Sequence, residues 1–156
     1  MRWIRSVPHQ SYFLFLTALF GVLFAVLAVN PHHRSDWVLE NVLVLAFFVF
    51  LFWSARRFPF SRISYTLIFI FLGIHEIGAH YTYAEVPYDA WFQAAFGTTL
   101  NSLVGWERNN FDRIVHFSYG LLLAYPIREI YFRMANAEGF WGYFLPLDFT
   151  MSTSML

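Results

Sequence analysis

The sequence predicts an all-α, polytopic transmembrane helical bundle of four to five spans, folded as a single integral-membrane domain over residues 1–156. Three observations carry this. The 156 residues are 58% hydrophobic and 22% aromatic but only 13% charged, whereas a soluble domain carries about 25% charged residues. Apolar runs of bilayer length recur, and about 20 such residues cross a hydrocarbon core of about 30 Å. Arginine gathers in alternate connections between these runs, as it does on the cytoplasmic side of membranes.

The first span covers residues 12–29 and has no charge. Arg2 and Arg5 precede it as they would in a signal peptide, but an h-region is only about 7–15 residues long, so this run reads as a retained helix. The second span covers 38–53 between Trp37 and Trp53, with Glu40 and Asn41 in its first turn. Arg56, Arg57, Pro59 and Arg62 end the pattern, and the third span follows over 63–82. In the long connection after it, the stretch around Trp91, Phe92 and Phe96 fits either an interfacial amphipathic helix or an aromatic-rich loop. Asn110 is a suitable N-cap for a fourth span over 111–131, in which Pro126 is expected to produce a kink. A partial fifth span begins at 139, interrupted by Pro146 and Asp148, and with few helical partners it is expected to be loosely packed.

Arg2, Arg5, Arg56, Arg57, Arg62, Arg128 and Arg133 fall on one side of alternating spans. Arg34, Arg108 and Arg113 fall on the other, mixed with Asp36, Glu85, Asp89 and Glu107. The N-terminus is therefore expected in the cytoplasm and residues 84–110 outside. The formal charge is zero and the chain has no cysteine. All its basic residues are arginine. Schiff-base, thiolate and Cys-ligated metal chemistry are excluded, and nothing suggests a nucleic-acid partner. The lipid bilayer is the expected partner, and a homo-oligomer or another membrane protein stays open.

Two octapeptides carry the candidate chemistry. Residues 76–83 read EIGAHYTY and 112–119 read DRIVHFSY. Each has an acid, a histidine four residues on and a tyrosine three further, which share one face of a continuous helix. Antiparallel third and fourth spans would bring His80 and His116 to similar depth near the outer surface, with Asp112 closer to the surface and Glu76 deeper, so that the four converge on one pocket. Glu40, His75, Tyr83, Arg113 and Tyr119 would surround them. Two histidines and two carboxylates suit a divalent metal such as Zn, Mn or Fe. A proton or ion relay is a second reading, since intramembrane acids and histidines mark such paths. Structural hydrogen bonds between helices are a third. HEIGAH is not the zincin H-E-x-x-H motif: His75 and His80 are five apart and point about 140° apart on a helix. His32 and His33 read as ordinary surface histidines, and Arg128 with Glu129 as an ion pair at the inner interface.

The segments HEIGAHYTYAEVPYD, ERNNFDRIVHFSYGLLLAYPIRE and FLPLDFTMSTSML resemble the YjdF-like family of uncharacterised bacterial inner-membrane proteins. FDRIVHF is also similar, more weakly, to a segment of VanZ-like membrane proteins. The resemblance implies a bacterial inner-membrane location and a pattern that continues past Leu156 with Glu-x-x-Glu-Trp and Gly-Asp-x-x-Asp segments. It implies no activity. The expected protein is thus a multi-pass inner-membrane protein with a His/carboxylate site near its periplasmic face. A small transporter, an ion relay or a structural subunit is the alternative, and whether it is an enzyme is left open.

Overall fold

A computed structural model describes residues 7–154. Arg2 and Arg5, which carry part of the orientation reading, lie outside the described residues, as does the side chain of Arg56. The chain forms α1 (Val7–Leu27), α2 (Arg34–Arg57), α3 (Arg62–His80), α4 (Tyr88–Phe96), α5 (Leu100–Val104), α6 (Phe111–Met134) and α7 (Trp141–Thr153). Every regular element among the described residues is a helix.

Among the described residues, three helices are long and apolar enough to cross a membrane, over residues 10–27, 34–55 and 62–80. The fourth expected span appears as α6, which is 24 residues long but carries Asp112, Arg113, Arg128, Glu129 and Arg133. It continues through Pro126, which is buried within the helix. The region from 139 forms α7, whose 13 residues would extend about 20 Å at 1.5 Å per residue. Contrary to the expected loose packing, α7 lies along α6 and buries Gly142, Pro146 and Thr150. These are spaced four apart and so form one stripe. A Cβ on Gly142 would come within 2.6 Å of the Ala137 carbonyl oxygen, so the close approach there requires glycine.

The centre of the molecule is α3. It packs against α1, α2 and α6, and α7 is added on the far side of α6. Its N-terminus is capped by Ser61, whose Oγ accepts from the Ser64 N–H. The α1–α2–α3 core is largely aromatic: Phe13 meets Tyr65 at 4.9 Å between ring centroids and Phe20 meets Phe48 at 5.0 Å. Lipid tails are as apolar as these rings, so packing and dispersion, rather than escape from water, hold such helices together. Between α3 and α6, the connection folds into the short helices α4 and α5, each closed by a left-handed glycine, Gly97 and Gly105. The stretch around Trp91 is therefore helical, with Trp91 and Phe96 exposed.

The expected Arg128–Glu129 pair is not formed. Arg128 instead lies between the rings of Phe132 and Tyr143, at 4.5 and 4.6 Å. Glu129 pairs with Arg133 at 2.6 Å, because neighbours on a helix point apart while residues four apart meet. The Glu129 carboxylate also accepts from the Ser61 N–H at 3.0 Å and the Ser61 hydroxyl at 2.9 Å, and from the Ser64 hydroxyl. These bonds tie the end of α6 to the start of α3, so the two helices run antiparallel.

Candidate functional site: a polar pocket between α2 and α3

The site begins with the way α3 ends. Thr82 and Tyr83 both take left-handed backbone conformations, with φ of 55° and 52°, so the helix stops at His80 rather than running to 82. The Tyr83 N–H donates to the Gly78 carbonyl at 2.8 Å, the long closing bond of a Schellman-type terminus. Tyr83 is thereby carried back over the helix it has left. Its ring lies against Gly78, where a Cβ would fall 2.5 Å from two ring carbons.

Folded back in this way, the Tyr83 hydroxyl donates to Glu40 Oε2 at 3.1 Å and lies 3.0 Å from His75 Nδ1. Burial, and then the Glu40 carboxylate beside it, push the Tyr83 hydroxyl above the usual tyrosine range, so it remains a donor. Beside this chain a cavity of about 250 Å³ opens, lined by Asp36, Leu39, Glu40, Ala79, Thr82 and Tyr83. Deeper in the helix packing is Glu76, whose side chain has no exposed surface. The Asn41 side chain lies next to its carboxyl, but Asn41 Nδ2 donates to the Trp37 carbonyl at 2.8 Å. Neither Glu76 oxygen completes a hydrogen bond among the described residues. A buried polar group without a partner costs about 1–3 kcal/mol, and more if charged.

The structure therefore gathers Glu40, His75, Glu76 and Tyr83, and sends the other expected residues elsewhere. His80 turns to α1, where its Nδ1 lies 2.7 Å from the Leu27 carbonyl oxygen, while its own carbonyl accepts from the His32 N–H at 2.9 Å. His116 turns to α7, with Nδ1 2.9 Å from the Ser154 carbonyl oxygen. Tyr119 follows it, donating to Thr153 Oγ1 at 2.8 Å. Asp112 faces Arg108 at 3.5 Å and Arg113 is exposed. The expected convergence of His80 and His116 is not formed, because α1 and α7 supply the nearest carbonyl groups on opposite sides of the α3–α6 pair. Tyr83 does not share a helical stripe with His80, because the helix has already ended. His32 is a surface histidine, as its sequence position suggests, with its Nδ1 2.9 Å from Glu85 Oε2. Among the described residues, no three His, Asp or Glu side chains are placed to hold one metal ion. Asn41 and Trp37 also border the site, and the signal for them in the sequence is their position one helical turn apart with Asn41 next to Glu40.

These apolar helices, with a polar pocket set between two of them, define an integral helical membrane protein. The chain belongs to the family described as Predicted membrane protein (DUF2238), which matches residues 12–156. It is 34% identical over 111 residues to Inner membrane protein YjdF of Escherichia coli (strain K12), covering 71% of this chain and 49% of that protein. The chain thus spans about half the length of the curated relative it matches. No solved structure matches it.

Proposed function

We propose that the protein is a bacterial inner-membrane protein in which α6 crosses beside α3 as a fourth span, and whose α2–α3 pocket takes up a proton from the periplasm as part of a relay. The observation that carries this is the fully buried Glu76 carboxyl, which completes no hydrogen bond among the described residues, behind the hydrogen-bonded series Glu40–Tyr83–His75. Ionisable groups at membrane depth are expensive and mark proton and ion paths. The cleft at Glu40 and Tyr83 gives water access to the outer end of the series. In this reading His75 and Glu40 exchange protons through the Tyr83 hydroxyl, and Glu76 is the inner acceptor.

Proteoliposomes with an internal pH dye test the proposal. The protein should dissipate an imposed pH gradient at least fivefold faster than empty vesicles. Glu76→Gln and Tyr83→Phe should each remove most of that gain. A rate equal to that of empty vesicles would sink the relay. A divalent metal held by Glu76, His80, Asp112 and His116 is the competing proposal. Stoichiometric metal in the same preparation, lost in both His80→Ala and His116→Ala, would replace the relay with it.

The proposed orientation has its own check. The chain has no cysteine, and Ser102 and Ala135 are exposed at opposite ends of the bundle. Arginine bias predicts that an impermeant thiol reagent applied to intact cells labels Ser102→Cys and spares Ala135→Cys. The reverse pattern would invert the topology.

A further inference from the structure

At the end of the bundle away from the Ser61–Glu129 junction, we propose that His32 and His80 bind one divalent transition-metal ion of the zinc class through their Nε2 atoms. The site joins the α1–α2 connection to the last residue of α3. The His32 N–H donates to the His80 carbonyl at 2.9 Å, and the two ring centroids lie 6.0 Å apart. Tyr81 meets both rings edge to face, at 4.9 and 4.6 Å between centroids, and so holds them as a pair. His32 is exposed and His80 is half-buried.

The hydrogen bonds of the two rings set their chemistry. His80 Nδ1 lies 2.7 Å from the Leu27 carbonyl oxygen. A carbonyl oxygen only accepts, so the neutral ring carries its proton on Nδ1 and its lone pair on Nε2. His32 Nδ1 lies 2.9 Å from Glu85 Oε2, and a carboxylate imposes the same assignment. A metal-binding histidine has this pattern: one ring N–H is given to a carboxylate or a backbone carbonyl, and the other nitrogen takes the ion. The two rings here show one partner of each kind. The spacing also fits. A zinc–nitrogen bond is about 2.0–2.1 Å and the ring centre lies about 1.1–1.2 Å beyond it, so two rings sharing an ion have centroids up to about 6.4 Å apart. The observed 6.0 Å falls inside that limit. The surrounding charge favours a cation, because Glu85 backs His32 and His80 ends α3, where helix carbonyls leave partial negative charge. Imidazole nitrogens suit zinc, copper and nickel, whereas magnesium and calcium take oxygen ligands. No third His, Asp or Glu joins the pair among the described residues, so water completes the coordination.

Calorimetric titration of zinc chloride into the full chain, purified in detergent without a polyhistidine tag, tests the site. One zinc should bind per chain. His32→Ala should weaken binding at least tenfold. Glu85→Gln should weaken it about tenfold, at the low end of the 10–100-fold range for groups that support a ligand. Cupric ion gives a second reading: its electron paramagnetic resonance spectrum should show coupling to two imidazole nitrogens in the wild type and to one in His32→Ala. His32 is exposed, and thermal melting of the metal-free variant should confirm that it stays folded. Glu76→Gln, which should stop the proposed relay, should change zinc affinity less than twofold, so the two readings fail separately. His116→Ala should also change it less than twofold, which separates this site from the competing one that uses His116. No binding at millimolar zinc, wild-type affinity in folded His32→Ala, or loss of zinc in His116→Ala would overturn the proposal.

Discussion

Replacing Glu129 by alanine should destabilise the purified protein by about 3–5 kcal/mol, the usual cost of removing one partner from a buried ion pair. The Glu129 side chain is only 12% exposed and its carboxylate meets Arg133 at 2.6 Å. It also accepts from the Ser61 N–H and from both the Ser61 and Ser64 hydroxyls. Truncation would leave these donors facing an apolar gap at the junction of α3 and α6. Arg133 would keep its bond to the Pro59 carbonyl at 2.8 Å and its place over Phe58, but lose the Glu129 carboxylate. Glu129→Gln retains the size and one acceptor oxygen, so its cost should be smaller, about 1–3 kcal/mol. Equilibrium unfolding in detergent, followed by the loss of helical signal, gives both values. A cost below about 1 kcal/mol for Glu129→Ala would mean that solvent screens the pair as it does at an exposed surface.

This network also shows what the sequence made legible. Helix positions could be read because charge-free runs of bilayer length have few alternatives in a chain this poor in charges. The helices differ from the expected spans by a few residues at their ends: α2 extends from 34 to 57 around its predicted 38–53 core. Partner choice was harder. Glu129 has arginines at positions 128 and 133, and only helical geometry, four residues against one, selects Arg133. The octapeptides at 76–83 and 112–119 show a further limit. A pattern fixes which residues share a helix face, but not which helix lies opposite. His80 faces α1 and His116 faces α7, although their local sequences match. On a helix that continues through Tyr83, His75 would point away from the Glu76–His80–Tyr83 face. Two left-handed residues reverse the chain and bring Tyr83 to it instead. Neither Thr82 nor Tyr83 announces such a conformation, since left-handed backbone usually belongs to glycine or asparagine.

Gly78→Ala should therefore destabilise the protein, against the usual direction for such a change. Within a helix, alanine is favoured over glycine by about 0.8–1.0 kcal/mol, and at an open position that gain would be seen. At Gly78 the new methyl would fall 2.5 Å from Tyr83 Cδ1 and Cε1, so the ring must leave. Overpacking of this kind costs about 1–3 kcal/mol. The displaced hydroxyl also gives up Glu40 and His75, at about 0.5–1.5 kcal/mol per hydrogen bond. The unfavourable terms exceed the propensity gain, leaving a net loss of about 1–5 kcal/mol. Tyr83→Phe removes only the hydroxyl and should cost less than Gly78→Ala. The decisive comparison is made in a Tyr83→Ala background. There the obstructing ring is gone, and Gly78→Ala should become neutral or stabilising by up to about 1 kcal/mol. The two substitutions should thus couple by at least about 1.5 kcal/mol, within the range of 0.5–3 kcal/mol found for residues in contact. Detergent unfolding of the four proteins in this cycle measures the coupling directly. Additive effects would show that Tyr83 does not rest on Gly78, and the pocket joining Glu40, Tyr83 and His75 would lose the contact that shapes it.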